Sequence, residues 1–430
     1  MALAVWIVVF VAIFALGYPI AFGMFTGSVL YIFLSGIDLT TVLDIMVIQF
    51  ENQFVLLAVP LFIFTAKVMN AARLTDRLFD FAKTLVGPVK GGLGHVNIIS
   101  SIIFAGMSGS EIADVAGLGT VEIKAMQDAG YDGPFACAVT CASATIGPII
   151  PPSIPMVIYA SLSGTSTGYL FLGGVLPGLL LGGVLMILVA ILSHKRNYPV
   201  GQWVSRRVFG KIFLESFFVI LAPVILLGGI YGGMFTPTEA AGVVSVYVMI
   251  LALFVYRSLG LRALYKVFIE SVVSTGFVSF IVACSFLFGY VVAREELPAL
   301  ITKGFISLGL MNSQWSVLLS LNILFLILGC FIDVSAILLI IVPIVLPLVK
   351  AAGIDLVHFG VVAVFNLMIA LDTPPYGETT FITSAISGTP LPDVLREMIK
   401  FIGFEILALF IITYFPDIVL WLPRLAGYQG

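Results

Sequence analysis

Residues 143–155 read SATIGPIIPPSIP and residues 369–381 read IALDTPPYGETTF, so each stretch places a Pro-Pro pair inside a long apolar segment. Proline lacks a backbone N–H and clashes with the preceding helical turn, and one in a helix interior costs about 3 kcal/mol or more. Each stretch therefore predicts a helix broken in two. A single proline kink is an ordinary feature of a membrane helix, but two breaks in matching surroundings indicate a shared design.

The two breaks belong to an internal repeat. Pro151 and Pro374 lie 223 residues apart, and the same offset aligns Pro152 with Pro375. Without gaps, the offset also pairs Gly106 with Gly329, Ala129 with Ala352, Gly130 with Gly353, Asp132 with Asp355, Val139 with Val362, and Ser161 with Ser384. Most of these matches are glycines, prolines or aspartates, which turns and helix ends require for backbone reasons. The sequence therefore predicts two copies of one module.

Each copy also contains a polar interruption before its broken helix. An apolar segment (93–105 or 315–328) reaches GMSGSEIAD at 106–114 or GCFIDVS at 329–335, and a second apolar segment (115–126 or 336–349) returns. The returning segments are too short for comfortable full spans, which need about 20 residues. We therefore predict two re-entrant helical hairpins whose tips are buried in protein or face a water-filled cavity.

The composition is typical of an integral membrane protein. Of 430 residues, 60% are hydrophobic and only 10% are charged, whereas about 25% is usual for a soluble domain. We predict an all-α polytopic membrane protein with about 10–12 membrane helices, two re-entrant hairpins and inverted repeats. Apolar runs of spanning length cover roughly 2–22, 173–193, 212–231, 238–256, 267–292, 315–331 and 401–422.

Broken helices offer two kinds of ligand inside a membrane. The carbonyl and hydroxyl oxygens of a break suit a small cation, and the exposed N–H groups of the next half-helix suit a carboxylate. Two such sets predict at least two coupled cations. Neutral oxygens dominate both sets and neither contains histidine, so we expect these cations to be sodium ions and not protons. The predicted sodium ligands are Gly109, Ser110, Thr145, Gly147 and Pro148 in the first half, and Gly329, Ser335, Asp372, Thr373 and Gly377 in the second.

The predicted substrate ligands are Ser108, Ser153 and Asp333. Ser153 opens a half-helix and can present its hydroxyl and nearby N–H groups to an anion. Asp333 aligns in the repeat with uncharged Ser110, and such an asymmetry is what substrate recognition needs. For Glu111 and Asp114, helix capping and a functional role both remain open, because acidic residues in a first helical turn also stabilise the helix dipole.

The sequence lacks the motifs that would indicate other functions. We find no Walker motif for ATP hydrolysis, no catalytic motif that would make the chain an enzyme, and no basic patch for nucleic acid. The four cysteines lie in apolar sequence and are expected to be buried hydrophobes. No metal other than sodium and no organic cofactor is expected. Basic residues crowd the loops near 73–90, 195–211 and 257–266, which the positive-inside rule makes cytoplasmic.

Five segments resemble a known family. They are VPLFIFTAKVMNAARLTDRLFDFAKTLVG (59–87), GMSGSEIADVAGLGTVEIKAM (106–126), ASATIGPIIPPSIPMVIYA (142–160), GGMFTPTEAAGV (232–243) and ALDTPPYGETTF (370–381). Over essentially the whole chain, the sequence resembles the large membrane subunit of tripartite ATP-independent periplasmic (TRAP) transporters. The resemblance implies a multi-pass protein of the bacterial inner membrane that imports organic acids with sodium. Its partners would be a small (Q-type) membrane subunit, a periplasmic substrate-binding protein and the surrounding lipid.

The resemblance also implies an elevator-type fold similar to that of divalent-anion/sodium symporters. In that picture, the transport domain comprises 59–172 and 267–390, and the scaffold comprises 1–58, 173–266 and 391–430. Family substrates include sialic acid and C4-dicarboxylates, and the lone acidic candidate Asp333 favours a sugar acid such as sialic acid. The alternatives are a stand-alone sodium/dicarboxylate symporter and, in a different class, an ion channel.

Overall fold

The computed structural model describes residues 1–86, 89–201, 204–375 and 377–430. Apart from one isolated β-bridge between Lys90 and Val200, these residues form helices and their connections, which confirms the all-α class. Their α-helices are α1 (Ala2–Ala15), α2 (Ile20–Leu34), α3 (Thr40–Glu51), α4 (Ala58–Ala71), α5 (Leu74–Val86), α6 (Gly92–Ser108), α7 (Glu111–Asp128), α8 (Gly133–Ala144), α9 (Ile154–Ser163), α10 (Thr167–Arg196), α11 (Arg206–Tyr231), α12 (Pro237–Ile250), α13 (Leu261–Arg294), α14 (Leu297–Ser307), α15 (Gln314–Gly329), α16 (Val334–Ala351), α17 (Leu356–Asp372), α18 (Glu378–Ser387), α19 (Leu391–Tyr414) and α20 (Pro416–Leu425).

Within the described ranges, six helices are long and apolar enough to cross a bilayer. Four of them are α10, α11, α13 and α16. The other two are α4 together with the preceding 3₁₀ turn Phe54–Leu57, and α12 together with the following π-helical turn Leu251–Val255. The bent pair α19 and α20 makes a seventh if it is counted as one span. The predicted number of about 10–12 membrane helices is therefore reached only by including shorter apolar helices of 10–17 residues.

Two predicted spans are wrong in detail. The run 2–22 is not one helix but α1 followed by the start of α2, because Gly17 has a φ of 79° and Pro19 stands directly before α2. A left-handed residue and a proline both end a helix. The run 401–422 is interrupted at Phe415, where α19 and α20 meet at a bend of 60°.

Helix bounds confirm the repeat. The first residues of α7 and α16 are 223 positions apart, and so are their last residues. Gly130 and Gly353 follow these helices with positive φ values of 86° and 69°, as a C-terminal helix turn requires. Asp132 and Asp355 are then the N-cap residues of α8 and α17. The two halves therefore share backbone geometry at their turns as well as residue types.

The two halves interlock. We call α6 and α7 the first hairpin, α15 and α16 the second hairpin, and the connections α8–α9 and α17–α18 the first and second breaks. The leading arm of each hairpin packs within its own half, α6 against α8 and α15 against α17. The returning arms reach the other half, where α7 packs against α18 and α16 against α9. Each hairpin therefore contacts both broken helices.

Buried hydrogen bonds join each leading arm to its broken helix at equivalent places. In the first half, the Ser143 hydroxyl donates to Asn97 Oδ1 at 2.6 Å, and Asn97 Nδ2 donates to the Thr140 hydroxyl at 2.8 Å. In the second half, Asn366 Nδ2 donates to Asn322 Oδ1 at 2.9 Å. Ser143 and Asn366 are repeat partners. Polar bonds inside an apolar core fix one relative position of the two helices.

The peripheral helices fall into two groups. Helix α10 packs against α6, α17, α19 and α20, and α19 packs against α8, α10 and α17. Helices α11, α12 and α13 pack against one or more of α2, α4 and α5, and α13 also packs against α16 and α11 against α6. The predicted scaffold segment 173–266 therefore spans two packing environments, and segment 391–430 lies with the broken helices. The division into scaffold and transport domains remains a prediction.

Candidate transport site

The tip of the first hairpin is seated on the first break. Gly109, between α6 and α7, has a φ of 61°, and a Cβ atom there would lie 2.6 Å from the Pro152 carbonyl oxygen. The backbone N–H of Ile154 donates to the Gly109 carbonyl at 3.4 Å. Ser108 and Ser153 flank this contact and are fully buried. The structure thus brings together two of the three predicted substrate ligands.

Asp333, the third substrate candidate, caps a helix. Its carboxylate accepts the N–H groups of Ser335 at 2.9 Å and Ala336 at 3.3 Å, at the start of α16. Its repeat partner Ser110 caps α7 in the same way, accepting the Ala113 N–H at 3.4 Å. The difference between aspartate and serine is therefore an exchange of one N-cap for another. Helix capping thus accounts for the aspartate as well, and Asp333, which is exposed at the tip, remains a predicted substrate ligand.

The predicted hydroxyl ligands at the breaks are held by local hydrogen bonds. Thr145 donates to the Ala142 carbonyl and Thr373 donates to the Ile369 carbonyl, both at 2.7 Å. Ser153 caps α9 by accepting the backbone N–H three residues further on, at 3.2 Å. A threonine hydroxyl that donates still has lone pairs. Thr145 and Thr373 therefore keep oxygen lone pairs that a cation can use.

The second hairpin tip lies near the second break. Gly329 ends α15 against α17, and a Cβ atom there would collide with the Ala370 side chain. Gly377, just before α18, has a φ of 49°. Across the gap, Asp333 acts electrostatically on Glu378 at the start of α18. The base of the second tip therefore packs closely against the helix that leads into the second break.

The two breaks differ in exposure. Every residue from 145 to 153 is buried, including Gly147 and Pro148. At the second break, Thr373 is half-buried and Pro375 is exposed. The first break is therefore enclosed by protein, whereas the second break reaches the protein surface.

Asp114, which the sequence left undecided, joins the first hairpin to the first break. It is 2% exposed, and the Ser108 hydroxyl donates to its Oδ1. Its Oδ2 has no hydrogen-bond partner among the described residues and points at Gly147, where a Cβ atom would lie 2.5 Å away. Asp114 therefore adds a carboxylate oxygen to the predicted ligands of the first half.

Sequence reasoning did not single out Glu405. This residue lies in the middle of α19 with 0% of its surface exposed, and neither carboxylate oxygen has a hydrogen-bond partner in the described part of the chain. Its signal was present in the sequence, because a carboxylate inside an apolar run of spanning length is a functional indication by itself. Glu405 interacts electrostatically with Asp372 at the second break.

Two hairpin tips facing two broken helices inside an apolar helical bundle define a membrane transporter. The chain belongs to the family described as "Tripartite ATP-independent periplasmic transporter, DctM component", whose sequence model matches residues 7–418. It is therefore a large TRAP membrane subunit, a multi-pass protein of the bacterial inner membrane and not an enzyme.

Curated relatives agree with this assignment. The sialic acid TRAP transporter large permease protein SiaM of Vibrio cholerae is 44% identical over 378 residues, covering 88% of this chain and 88% of that protein. The C4-dicarboxylate TRAP transporter large permease protein DctM of Pseudomonas aeruginosa is 40% identical and covers 90% of each chain. The isethionate TRAP transporter permease protein DctMQ of Oleidesulfovibrio alaskensis is 35% identical over 95% of this chain and 64% of its own length.

Solved structures support the fold. The YdaH transporter of Alcanivorax borkumensis superposes with a TM-score of 0.65 at 14% identity, covering 90% of this chain and 89% of its own. The MtrF efflux pump of Neisseria gonorrhoeae gives a TM-score of 0.62 at 12% identity, over 89% and 84% of the two chains. At such low identity the likeness concerns architecture only.

Proposed function

We propose that this chain is the membrane translocation subunit of a sodium-coupled importer for a small organic acid. The observation that carries the proposal is the seating of the Gly109 tip on the Pro152 break, together with the close packing of Gly329, at the second tip, against Ala370 of the second broken helix. Paired breaks of this kind expose both cation-binding carbonyls and anion-binding N–H groups near the membrane midplane.

Sodium coupling is supported by the oxygen-rich character of both sites. Asp114 near Gly147 and Asp372 at the second break supply carboxylates beside the hydroxyls of Thr145 and Thr373. Hard cations prefer such ligands. A bound cation also offsets the cost of placing carboxylates in an apolar interior, which is several kcal/mol for each ion.

For the substrate, we propose a sugar acid of the sialic acid type. Relatives named for sialic acid are 44% and 37% identical to this chain, and one named for C4-dicarboxylates is 40% identical. The exposed carboxylate of Asp333 at the second tip would repel the second charge of a dicarboxylate. The same group can accept hydrogen bonds from sugar hydroxyls.

The family is tripartite, so we propose that a small membrane subunit and a periplasmic binding protein act with this chain. For the motion, we propose an elevator movement in which the hairpins, the broken helices, α10 and α19 travel together. The mutual packing of these elements supports this grouping.

The test is uptake into proteoliposomes that contain the chain with its small subunit and the binding protein outside. We expect uptake of the sugar acid with an inward sodium gradient and none when choline replaces sodium. Undiminished uptake without the binding protein would instead identify a stand-alone symporter. Flux that needs no sodium gradient would identify a channel and overturn the proposal.

The sodium sites have their own test. Ser108→Ala removes a hydroxyl bonded to Asp114, and Thr373→Val removes a hydroxyl at the second break. We expect each change to raise the sodium concentration for half-maximal uptake by about tenfold, the effect of losing one ligand interaction of about 1.4 kcal/mol. Thr120→Val is the matched control, because Thr120 is exposed on α7 and its hydroxyl donates only to its own helix. Unchanged sodium activation in both variants would exclude Asp114 and Thr373 from the sodium sites.

A further inference from the structure

Polar side chains divide the helices into two sets, each with hydrogen bonds of its own. We call α1–α5 with α11–α13 the α4 set, and α6–α10 with α14–α20 the α7 set. Within the α4 set, the Thr65 and Ser245 hydroxyls are hydrogen-bonded at 2.8 Å. Within the α7 set, the bonds of Asn97 and Asn366 described above join the leading arms to the broken helices.

One hydrogen bond joins the two sets. Asn70 Nδ2 of α4 donates to the Ala113 carbonyl of α7 at 3.2 Å. The other side-chain hydrogen bonds and ion pairs of the described residues stay within one set. Elsewhere the boundary is formed by packing, as between α5 and α6 or α13 and α16. Apolar packing is non-directional, so the Asn70 bond is the contact that fixes one position of α7 along α4.

Helix α7 has a gap that receives the Asn70 side chain. Gly117 lies one turn after Ala113, and a Cβ atom there would lie 2.4 Å from Asn70 Oδ1. Glycine in a helix interior is destabilising relative to alanine, and it marks a place where packing requires the space. The two helices therefore fit together at one side chain and one glycine.

The contact is suited to opening. The Ala113 carbonyl lies inside α7, where the N–H of Gly117, four residues on, also competes for it. In addition, Asn70 Oδ1 is buried without a hydrogen-bond partner in the described part of the chain. Buried polar groups are normally paired, so a permanent joint would satisfy both ends of the amide. This bond holds α7 in place but loses little when it breaks.

We propose that Asn70 is a latch, which holds the first hairpin at this position along α4 and releases it in each transport cycle as α7 slides past α4. The inference rests on the proposed movement of the hairpins and broken helices, and adds the residue that holds one end of that movement. Asn70 is a positioning residue in this role, because it acts on the backbone of the hairpin and not on the transported solutes.

The first experiment ties α4 to α7 with a disulfide bond. Asn70→Cys combined with Gly117→Cys places the two sulfur atoms close together, because Asn70 Cγ lies 2.5 Å from the Cβ position at 117. Uptake is measured in proteoliposomes that contain the chain with its small subunit and the binding protein outside. We expect oxidation to lower sodium-driven uptake at least tenfold and dithiothreitol to restore it, with the disulfide verified by mass spectrometry.

The matched control is Thr65→Cys combined with Ser245→Cys. This pair ties the same helix, α4, to α12 within the α4 set, and uptake should stay near wild type after oxidation. Full uptake by the oxidised 70–117 pair would show that α7 does not slide past α4 and would overturn the inference. An equal loss in both pairs would overturn it too, because the boundary would then have no special role. If wild type shows no sodium-driven uptake, the proposed function itself fails.

The second experiment tests the latch with spin labels at Thr120→Cys on α7 and Glu215→Cys on α11, both exposed, in a chain that also carries Cys330→Ala. Asn70→Leu keeps the size of the side chain but cannot donate. We expect the population at the label distance of this structure, relative to all other distances, to fall about fivefold, which corresponds to one hydrogen bond of about 1 kcal/mol. Thr65→Val, which loses a hydrogen bond inside the α4 set, should leave that ratio unchanged. A lower melting temperature of Asn70→Leu with an unchanged ratio would show a purely structural role and overturn the latch.

Discussion

Gly109 is the residue at which the first hairpin touches the first break. Its φ of 61° is a conformation that costs other residues roughly 1–2 kcal/mol. In addition, the Pro152 carbonyl leaves no room for a side chain, since a Cβ atom would lie 2.6 Å from its oxygen. The backbone of the tip and that of the break are therefore in direct contact, and any side chain at Gly109 must push them apart.

We predict that Gly109→Ala lowers the rate of sodium-driven uptake at least tenfold, because the displaced tip loosens the predicted ligands Ser108 and Ser153 on either side. Gly164→Ala is the control: Gly164 also has a left-handed φ, 72°, but nothing lies within 4 Å of a Cβ atom there. This control should lower stability by about 1 kcal/mol and leave uptake near wild type. Equal uptake by both variants would show that the close contact is not required.

At the scale of elements, one side chain ties the end of α10 to two other helices. Arg196 donates to Asp132, the N-cap of α8, at 2.8 Å and to Glu397 of α19 at 2.5 Å. Lys400 also contacts Glu397 at 2.6 Å. Since Glu397 is largely buried, this network differs from ordinary exposed ion pairs, which contribute about 0–1 kcal/mol.

We predict that Arg196→Met lowers the free energy of unfolding by about 1–2 kcal/mol, a value reduced for the partial exposure of Arg196. The measurement is the melting temperature of the purified chain. Lys211→Met is the control, because the Lys211–Glu215 pair is exposed and 3.9 Å long, and we expect it to have almost no effect. A similar shift in both variants would contradict a special role for Arg196.

Elements with a local signal were predictable from the sequence. The 223-residue offset between the two Pro-Pro pairs predicted the positions of both returning arms, α7 and α16. This worked because backbone conformation determines where glycine turns and prolines occur. The break between α1 and α2 was missed, although Gly17 and Pro19 mark it, because hydropathy alone continues through it. Contacts between the halves, such as α7 with α18, have no local signal. For that reason the electrostatic interaction of Glu405 with Asp372 could not be derived.

At the scale of the whole molecule, the two halves are not equally open. The first break is buried throughout, while the second break has Thr373 half-buried and Pro375 exposed. The proposed transport cycle predicts such unequal exposure, because access to the site would alternate between the two sides of the membrane.

We predict that a membrane-impermeant maleimide labels Thr373→Cys but not Thr145→Cys in this conformation, because Thr145 is fully buried. Both variants are made with Cys330→Ala, since Cys330 is half-buried and the three other cysteines are buried. Labelling is measured by mass spectrometry on the purified chain. Equal labelling at the two threonine positions would indicate a continuous water-filled path, as in a channel.

The crossed packing of the returning arms also bears on how such a chain can arise. Because α7 rests on α18 and α16 rests on α9, neither half encloses a complete core. A chain of half this length would cover its apolar surfaces only by associating with a second copy. Joining two copies in one chain makes that association intramolecular and independent of concentration. The 223-residue offset is thus the spacing between two modules whose mutual packing does not depend on protein concentration.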